Sequence, residues 1–206
     1  MTTLDAGFFF AEHANMPMHF GALAVLEGPA PSQEELGDLY AAKTSPVPRY
    51  HQVVRTAPLQ MFRPAWADDE HFDISHHVRY ATVPGSGRAP ELHRLAGQIY
   101  AQHLDRSRPL WEAWLLDGVE RGRWAILFKV HHCMVDGIGG ADLMTALFDL
   151  CPDAGPPVQP ATWKLQPWPS LADTLAGGLR DAVTRPLHVL ANMPELIRQR
   201  LPTLDN

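Results

Sequence analysis

One stretch of the chain, residues 124–137, reads WAILFKVHHCMVDG and carries the strongest signal for the fold. Its first seven residues have the composition of a buried β-strand, which runs directly into His131 and His132. Asp136 follows four residues after His132, and Gly137 then lets the backbone turn without a Cβ clash. Successive strand residues point to opposite faces, so the two imidazoles are not expected to act as one pair. A rigid strand end suits a group that exchanges protons near neutral pH, as an imidazole does.

A second apolar run, residues 111–116, precedes this stretch and predicts a β-hairpin with it, because turn-forming residues fill positions 117–122. Further strands are predicted at 18–26 and 77–83, a strand or extended segment at 49–57, and helices at 32–43, 91–104 and 141–150. Residues 66–74 are acidic and predicted to be irregular. Because strands and helices follow one another without strict alternation, we predict an α/β fold of the mixed-sheet α+β sandwich kind.

The proline distribution predicts the domain organisation. Residues 152–169 contain six prolines and are predicted to be a linker. We expect an N-terminal domain over residues 1–151 and an amphipathic helical segment over residues 170–206. That last segment has an apolar stripe but no sheet to cover it, so it needs a partner surface. The candidates are the N-terminal domain, a further piece of the protein, another subunit and a lipid surface.

The composition excludes several classes of protein. The chain has 206 residues, of which 46% are hydrophobic and 19% charged, as expected of a globular protein. A net charge of −6 argues against nucleic acid binding. Two cysteines do not make a disulfide framework, so we expect a reducing, cytoplasmic location. No signal peptide is visible, and no apolar run reaches the about 18 residues that span a bilayer. Any membrane contact is therefore expected to be peripheral.

The motif His-His-x-x-x-Asp-Gly, here residues 131–137, resembles the signature of a superfamily of coenzyme-A-dependent acyltransferases. Within it, the chain looks most like the bacterial wax ester synthase/diacylglycerol acyltransferase family. The resemblance covers about residues 4 to 150 and extends to four further blocks: Leu4-Asp5-Ala6, Pro17-Met18-His19, 66–79 and 104–112. It implies a fold of two similar halves with the active site in a tunnel between them. This chain would be the N-terminal half, and residues 170–206 would lead towards a C-terminal domain that is absent from this chain.

The resemblance also implies the chemistry. A fatty acyl group would pass from acyl-CoA, the co-substrate, to diacylglycerol or a long-chain alcohol, giving triacylglycerol or wax ester. His132 would be the general base and His131 a supporting residue. Asp136 would be structural, paired with Arg106 or Arg108, and Gly137 would serve the backbone turn. No acyl-enzyme is required, so Cys133 need not be a nucleophile, and no bound cofactor is implied.

Several alternatives stay open at this point. His131, His132 and Asp136 are also metal-ligand types, but adjacent strand histidines diverge, so we predict no metal. Two alternative functions stay open. The chain could belong to a non-catalytic, lipid-binding relative of these acyltransferases, or to an acyltransferase with a polyketide or peptidyl acceptor. A second pair, His76-His77, lacks a following Asp-Gly and is interpreted as ordinary strand and surface. The block Pro109-Leu110-Trp111 is interpreted as packing. The expected partners are the C-terminal half and a membrane or lipid droplet.

Overall fold

The computed structural model of the chain describes residues 1–56 and 64–135. Their helices and strands lie in the order α1 (Thr3–Ala11), β1 (His19–Leu26), α2 (Gln33–Thr44), β2 (Gln52–Arg55), β3 (Ala65–Asp68), β4 (Val78–Thr82), α3 (Ala89–Tyr100), β5 (Trp111–Val119) and β6 (Arg123–His131). The helix predicted at 141–150, the linker at 152–169 and the segment at 170–206 lie outside the described residues. The domain boundaries drawn there stay predictions.

Four strands form one mixed sheet in the order β1-β6-β5-β4. β6 is antiparallel to both β1 and β5, whereas β5 and β4 are parallel. The predicted hairpin of two apolar runs is confirmed, although β5 continues to Val119, beyond the predicted start of the turn. The predicted α/β class with a mixed sheet is also confirmed. The strand that ends in the His-His pair is an inner strand, held by neighbours on both edges.

The two faces of the sheet carry separate hydrophobic cores. One face packs against α1 and α2 through residues such as Phe9 and Tyr40. The other packs against α3 through residues such as Leu92 and Ile99. Alternate residues of β6 serve the two sides, with Phe128 in the first core and Leu127 in the second. Burial on both faces explains why β5 and β6 are almost continuously apolar rather than alternating.

The two helices predicted within the described residues, at 32–43 and 91–104, were close to α2 and α3, whereas α1 was not predicted. The capping box of Ser32 and Glu35 is present and begins α2. Helix α3 starts earlier than predicted, at Ala89, because Pro90 fits the first turn of a helix. It also ends earlier, at Tyr100. There the ammonium group of buried Lys129 donates hydrogen bonds to the carbonyls of Ile99 (3.1 Å) and Gln102 (2.7 Å), just where the helix ends.

Two predictions about residues 49–77 were wrong. The segment expected to be irregular contains β3, which pairs antiparallel with β2. The partner strand outweighs the acidic composition there, because strand formation depends on what the strand pairs with. His77, interpreted as surface, is only 2% exposed. Its ring stacks on Phe72 and Trp111, and its Nδ1–H donates to the Trp111 carbonyl at 2.8 Å. Burial lowers the pKa of His77 to about 4, so it stays neutral at neutral pH.

Within residues 1–56 and 64–135, none of the helices has both the length and the apolar character needed to cross a lipid bilayer.

Candidate active site

The two histidines of the motif lie where β6 ends. His131 is the last residue of the strand, and His132 begins a short 3-10 helix over His132–Met134. The backbone N–H of His132 donates to the carbonyl of Met18 at 2.7 Å, just before β1 begins. The predicted position at the end of a buried strand is therefore confirmed. This position fixes the backbone of His132 on the sheet while leaving its side chain beyond the last strand pair.

The imidazole of His132 lies between two phenyl rings. Phe8 of α1 stacks on it with ring centroids 5.1 Å apart and an interplanar angle of 26°. Phe20 of β1 packs at 4.9 Å with a tilt of 45°. The side chain is half-buried. The rings restrict the orientation of the imidazole and give it apolar surroundings. Such surroundings are compatible with an apolar substrate.

His131 has different neighbours, as the alternation along the strand predicted. It is fully buried, and its Nδ1 accepts from the backbone N–H of Cys133 at 3.0 Å. The neutral ring therefore carries its proton on Nε2, which faces the Oε1 atom of Glu12 at 3.6 Å. Burial lowers the pKa of His131 to about 4, and the Glu12 carboxylate only partly opposes this. A neutral, hydrogen-bonded ring fits the supporting role better than that of a base.

Glu12 is a site residue that sequence reasoning missed. Its side chain is 3% exposed, immediately after α1. Besides His131, the carboxylate has His103 Nδ1 at 3.4 Å and Arg106 Nε at 4.0 Å, and it accepts from the Met18 N–H at 3.2 Å. The only sequence feature that could have indicated Glu12 is its place two residues after the apolar run Phe8-Phe9-Phe10. The neighbouring residues do not show that its side chain is buried.

Asp136 and Gly137 lie outside the described residues, so their predicted roles stay predictions. The two arginines proposed to pair with Asp136 have partners among the described residues. The guanidinium of Arg106 lies 3.6 Å from the centroid of the Phe9 ring and donates to the Phe9 carbonyl. Arg108 is 3.4 Å from a carboxylate oxygen of Asp105.

The thiol of Cys133 is poorly suited to nucleophilic attack. The residue is 2% exposed, and burial, reinforced by the nearby Asp5 carboxylate, raises its pKa to about 12. A thiol needs to ionise to be a strong nucleophile, and this one stays protonated at neutral pH. Among residues 1–56 and 64–135, no His, Cys, Asp and Glu side chains group as a metal centre would require.

The Pro-Leu-Trp block lies in the core beneath the site. Leu110 and Trp111 are fully buried, and the indole N–H of Trp111 donates to the Tyr50 carbonyl at 2.9 Å. The Leu110 carbonyl accepts the N–H of His131 at 3.0 Å. This burial agrees with the interpretation of the block as packing, and it also ties the block to the backbone of the motif.

Comparisons with known proteins establish the family of the chain. The family model for the wax ester synthase/diacylglycerol acyltransferase catalytic domain matches residues 1–204. A probable diacylglycerol O-acyltransferase of Mycobacterium tuberculosis is 43% identical over 151 residues, covering 72% of this chain and 33% of that protein. Another from the same organism is 37% identical over 140 residues, covering 67% and 52%. The chain thus spans between a third and about half the length of these relatives.

Solved structures show the same fold. A wax ester synthase/diacylglycerol acyltransferase from Marinobacter aquaeolei has 28% identity and a TM-score of 0.63, covering 90% of this chain and 46% of that one. The first condensation domain of the calcium-dependent antibiotic synthetase has 17% identity and a TM-score of 0.55, which shows likeness of fold alone. The match over residues 1–204 and the identities above 30% are decisive. The chain belongs to the wax ester synthase/diacylglycerol acyltransferase catalytic domain family.

Proposed function

We propose that this chain is the N-terminal, base-bearing half of an O-acyltransferase that moves a fatty acyl group from acyl-CoA to diacylglycerol or a long-chain alcohol. The observation that carries the proposal is the imidazole of His132 at the end of an inner strand, set between Phe8 and Phe20. Family membership supports the reaction class. The C-terminal half, a cytoplasmic location and peripheral contact with membrane or lipid inclusions belong to the same proposal, since the substrates are lipids.

His132 acts as a general base in the proposed reaction. An alcohol is too weak an acid to ionise at neutral pH, so the imidazole removes the hydroxyl proton as the oxygen attacks the thioester carbonyl. The tetrahedral intermediate then collapses, the carbon–sulfur bond breaks, and the electron pair leaves with the CoA sulfur. The imidazolium returns its proton to that sulfur. Ester and free CoA are the products, and no bound cofactor is consumed.

The proposed function predicts acceptor-dependent release of CoA. The full-length protein, mixed with a long-chain acyl-CoA, is expected to release thiol faster when diacylglycerol or a long-chain alcohol is added. A free-thiol reagent measures the release, and mass spectrometry identifies the ester. Omitting the acceptor gives the background of thioester hydrolysis.

The same assay decides between the alternatives. Lipid binding without acceptor-dependent release would favour the non-catalytic lipid-binding relative. Release only with polyketide or peptidyl thioester acceptors would favour that branch of the superfamily. Either result would overturn the proposed substrates.

A second prediction concerns Cys133, which lies beside the proposed base. Cys133→Ala in the full-length protein is expected to keep turnover within about twofold of wild type, because a buried, protonated thiol does not attack a thioester. Its contact with His131 uses the backbone N–H, which alanine retains. Steady-state CoA release measures the effect. Loss of turnover in a protein with an unchanged far-ultraviolet circular dichroism spectrum would point instead to an acyl-enzyme on Cys133.

A further inference from the structure

We propose that Glu12 is a positioning residue for His132, acting through the Met18 peptide groups and through His131. This inference rests on the proposed function, because it assigns Glu12 a part in presenting the base. Glu12 does not touch the ring of His132. It lies in the segment between the end of α1 and the start of β1, with its carboxylate facing His131.

The first connection runs through the backbone of Met18. Glu12 Oε1 accepts from the Met18 N–H at 3.2 Å, and the carbonyl of the same residue accepts from the His132 N–H at 2.7 Å. Glu12 therefore holds the peptide group that precedes the Met18 Cα, and His132 is held by the peptide group that follows it. Phe20, which contacts the His132 ring, follows two residues later. The position of Met18 therefore affects both the backbone of His132 and the Phe20 ring that contacts its imidazole.

The second connection runs through His131. The Glu12 carboxylate faces Nε2 of His131 at 3.6 Å and favours the tautomer with a proton on that atom. The other nitrogen, Nδ1, is then free to accept from the Cys133 N–H, which closes the turn containing His132. The negative charge thereby holds the turn in the conformation that presents the base.

Four titratable or charged groups on different parts of the chain act on His131. Glu12 supplies the opposing negative charge, while Arg106, His19 and His132 all disfavour a proton on His131. Arg106 and His103 also lie close to the Glu12 carboxylate. Removing the carboxylate would take this negative charge away from Arg106, whose guanidinium would keep its contacts with Phe9.

Stability alone is a poor reason for this arrangement. A buried carboxylate is costly unless its partners are close and well aligned. Here His103, His131 and Arg106 are 3.4 to 4.0 Å away, and the hydrogen bond of the carboxylate goes to the Met18 amide. An apolar residue would avoid the cost of burying a charge but would leave the Met18 N–H without its acceptor, so we assign the carboxylate a role beyond filling space.

The test is Glu12→Gln in the full-length protein, which keeps the shape and removes the charge. We expect kcat for acceptor-dependent CoA release to fall by about tenfold or more, while KM for acyl-CoA changes by less than about twofold. Glu34→Gln is the matched control, because Glu34 is exposed on α2. That variant is expected to have wild-type kinetics.

A double variant separates positioning from general destabilisation. In a His132→Ala background, Glu12→Gln is expected to cause no further loss, since a residue that acts through the base has nothing left to position. Losses that multiply would overturn the proposal, as would wild-type kcat in Glu12→Gln. If His132→Ala itself kept full turnover, the proposed function would fail instead, so the two failures are distinguishable.

Hydrogen exchange supplies a readout without activity. Glu12→Ala, which also removes the oxygen that accepts from the Met18 N–H, is expected to raise deuterium uptake in peptides covering residues 12–20 and 131–135, whereas peptides from α3 keep wild-type protection. Unchanged uptake in both segments would contradict the Met18 and His131 connections. Uptake raised throughout the described core would show a loss of fold and overturn the specific role.

Discussion

Replacing His132 with alanine in the full-length protein is expected to lower kcat for CoA release by about 10²- to 10⁴-fold, the usual contribution of a general base. Without the imidazole, the acceptor hydroxyl keeps its proton as it approaches the thioester carbonyl. KM for acyl-CoA is expected to change little, because the lost interaction belongs to the transition state rather than to donor binding. Stopped-flow or steady-state measurement of free thiol gives both constants.

The matched control is His93→Ala, the same substitution at an exposed histidine on α3. This variant is expected to keep wild-type kinetics. Circular dichroism and urea denaturation establish that both variants are folded, which matters because alanine at position 132 removes the ring between Phe8 and Phe20. A folded His132→Ala protein with wild-type kcat would rule out the general-base assignment.

Trp111→Ala is expected to lower the free energy of unfolding by about 3–5 kcal/mol, the range for deleting a large buried aromatic side chain. The residue is fully buried, with the His77 ring stacked at 4.6 Å and the Tyr50 ring packed edge-on at 5.2 Å. The substitution leaves a cavity between these rings and takes the indole N–H away from the Tyr50 carbonyl. Urea denaturation of the full-length protein measures the change.

Two further variants divide this effect into its parts. Trp111→Phe keeps a buried ring but loses the hydrogen bond, so it is expected to cost less than Trp111→Ala. Trp124→Ala removes a partly buried tryptophan and is also expected to cost less. The core role of Trp111 would be contradicted if Trp111→Ala destabilised the protein no more than Trp124→Ala does.

Predictions from the sequence succeeded where the signal lay within a few neighbouring residues. The capping box of Ser32 and Glu35 predicted the start of α2, and the two apolar runs separated by a turn predicted the β5–β6 hairpin. Both depend on chemistry between residues close in the chain. The same holds for the position of His132 at a strand end, because the apolar run and the motif are contiguous.

Long-range pairing was beyond such reasoning. The parallel alignment of β4 with β5 and the pairing of β2 with β3 join segments that are separated along the chain. The acidic residues around β3 are unfavourable for a strand, and β3 forms because it pairs with β2. His77 looked like a surface histidine because nothing beside it showed that Trp111 would cover it.

The sequence by itself therefore determined the mixed fold class, the hairpin and the strand end that holds His132, since each follows from local periodicity and turn chemistry. Only the tertiary structure decided that Phe8 and Phe20 flank the imidazole of His132 and that the Glu12 carboxylate faces Nε2 of His131. The physical reason is burial. Whether a carboxylate like that of Glu12 meets water or an imidazole depends on which distant segments pack over it, and the residues next to it in the chain do not encode this.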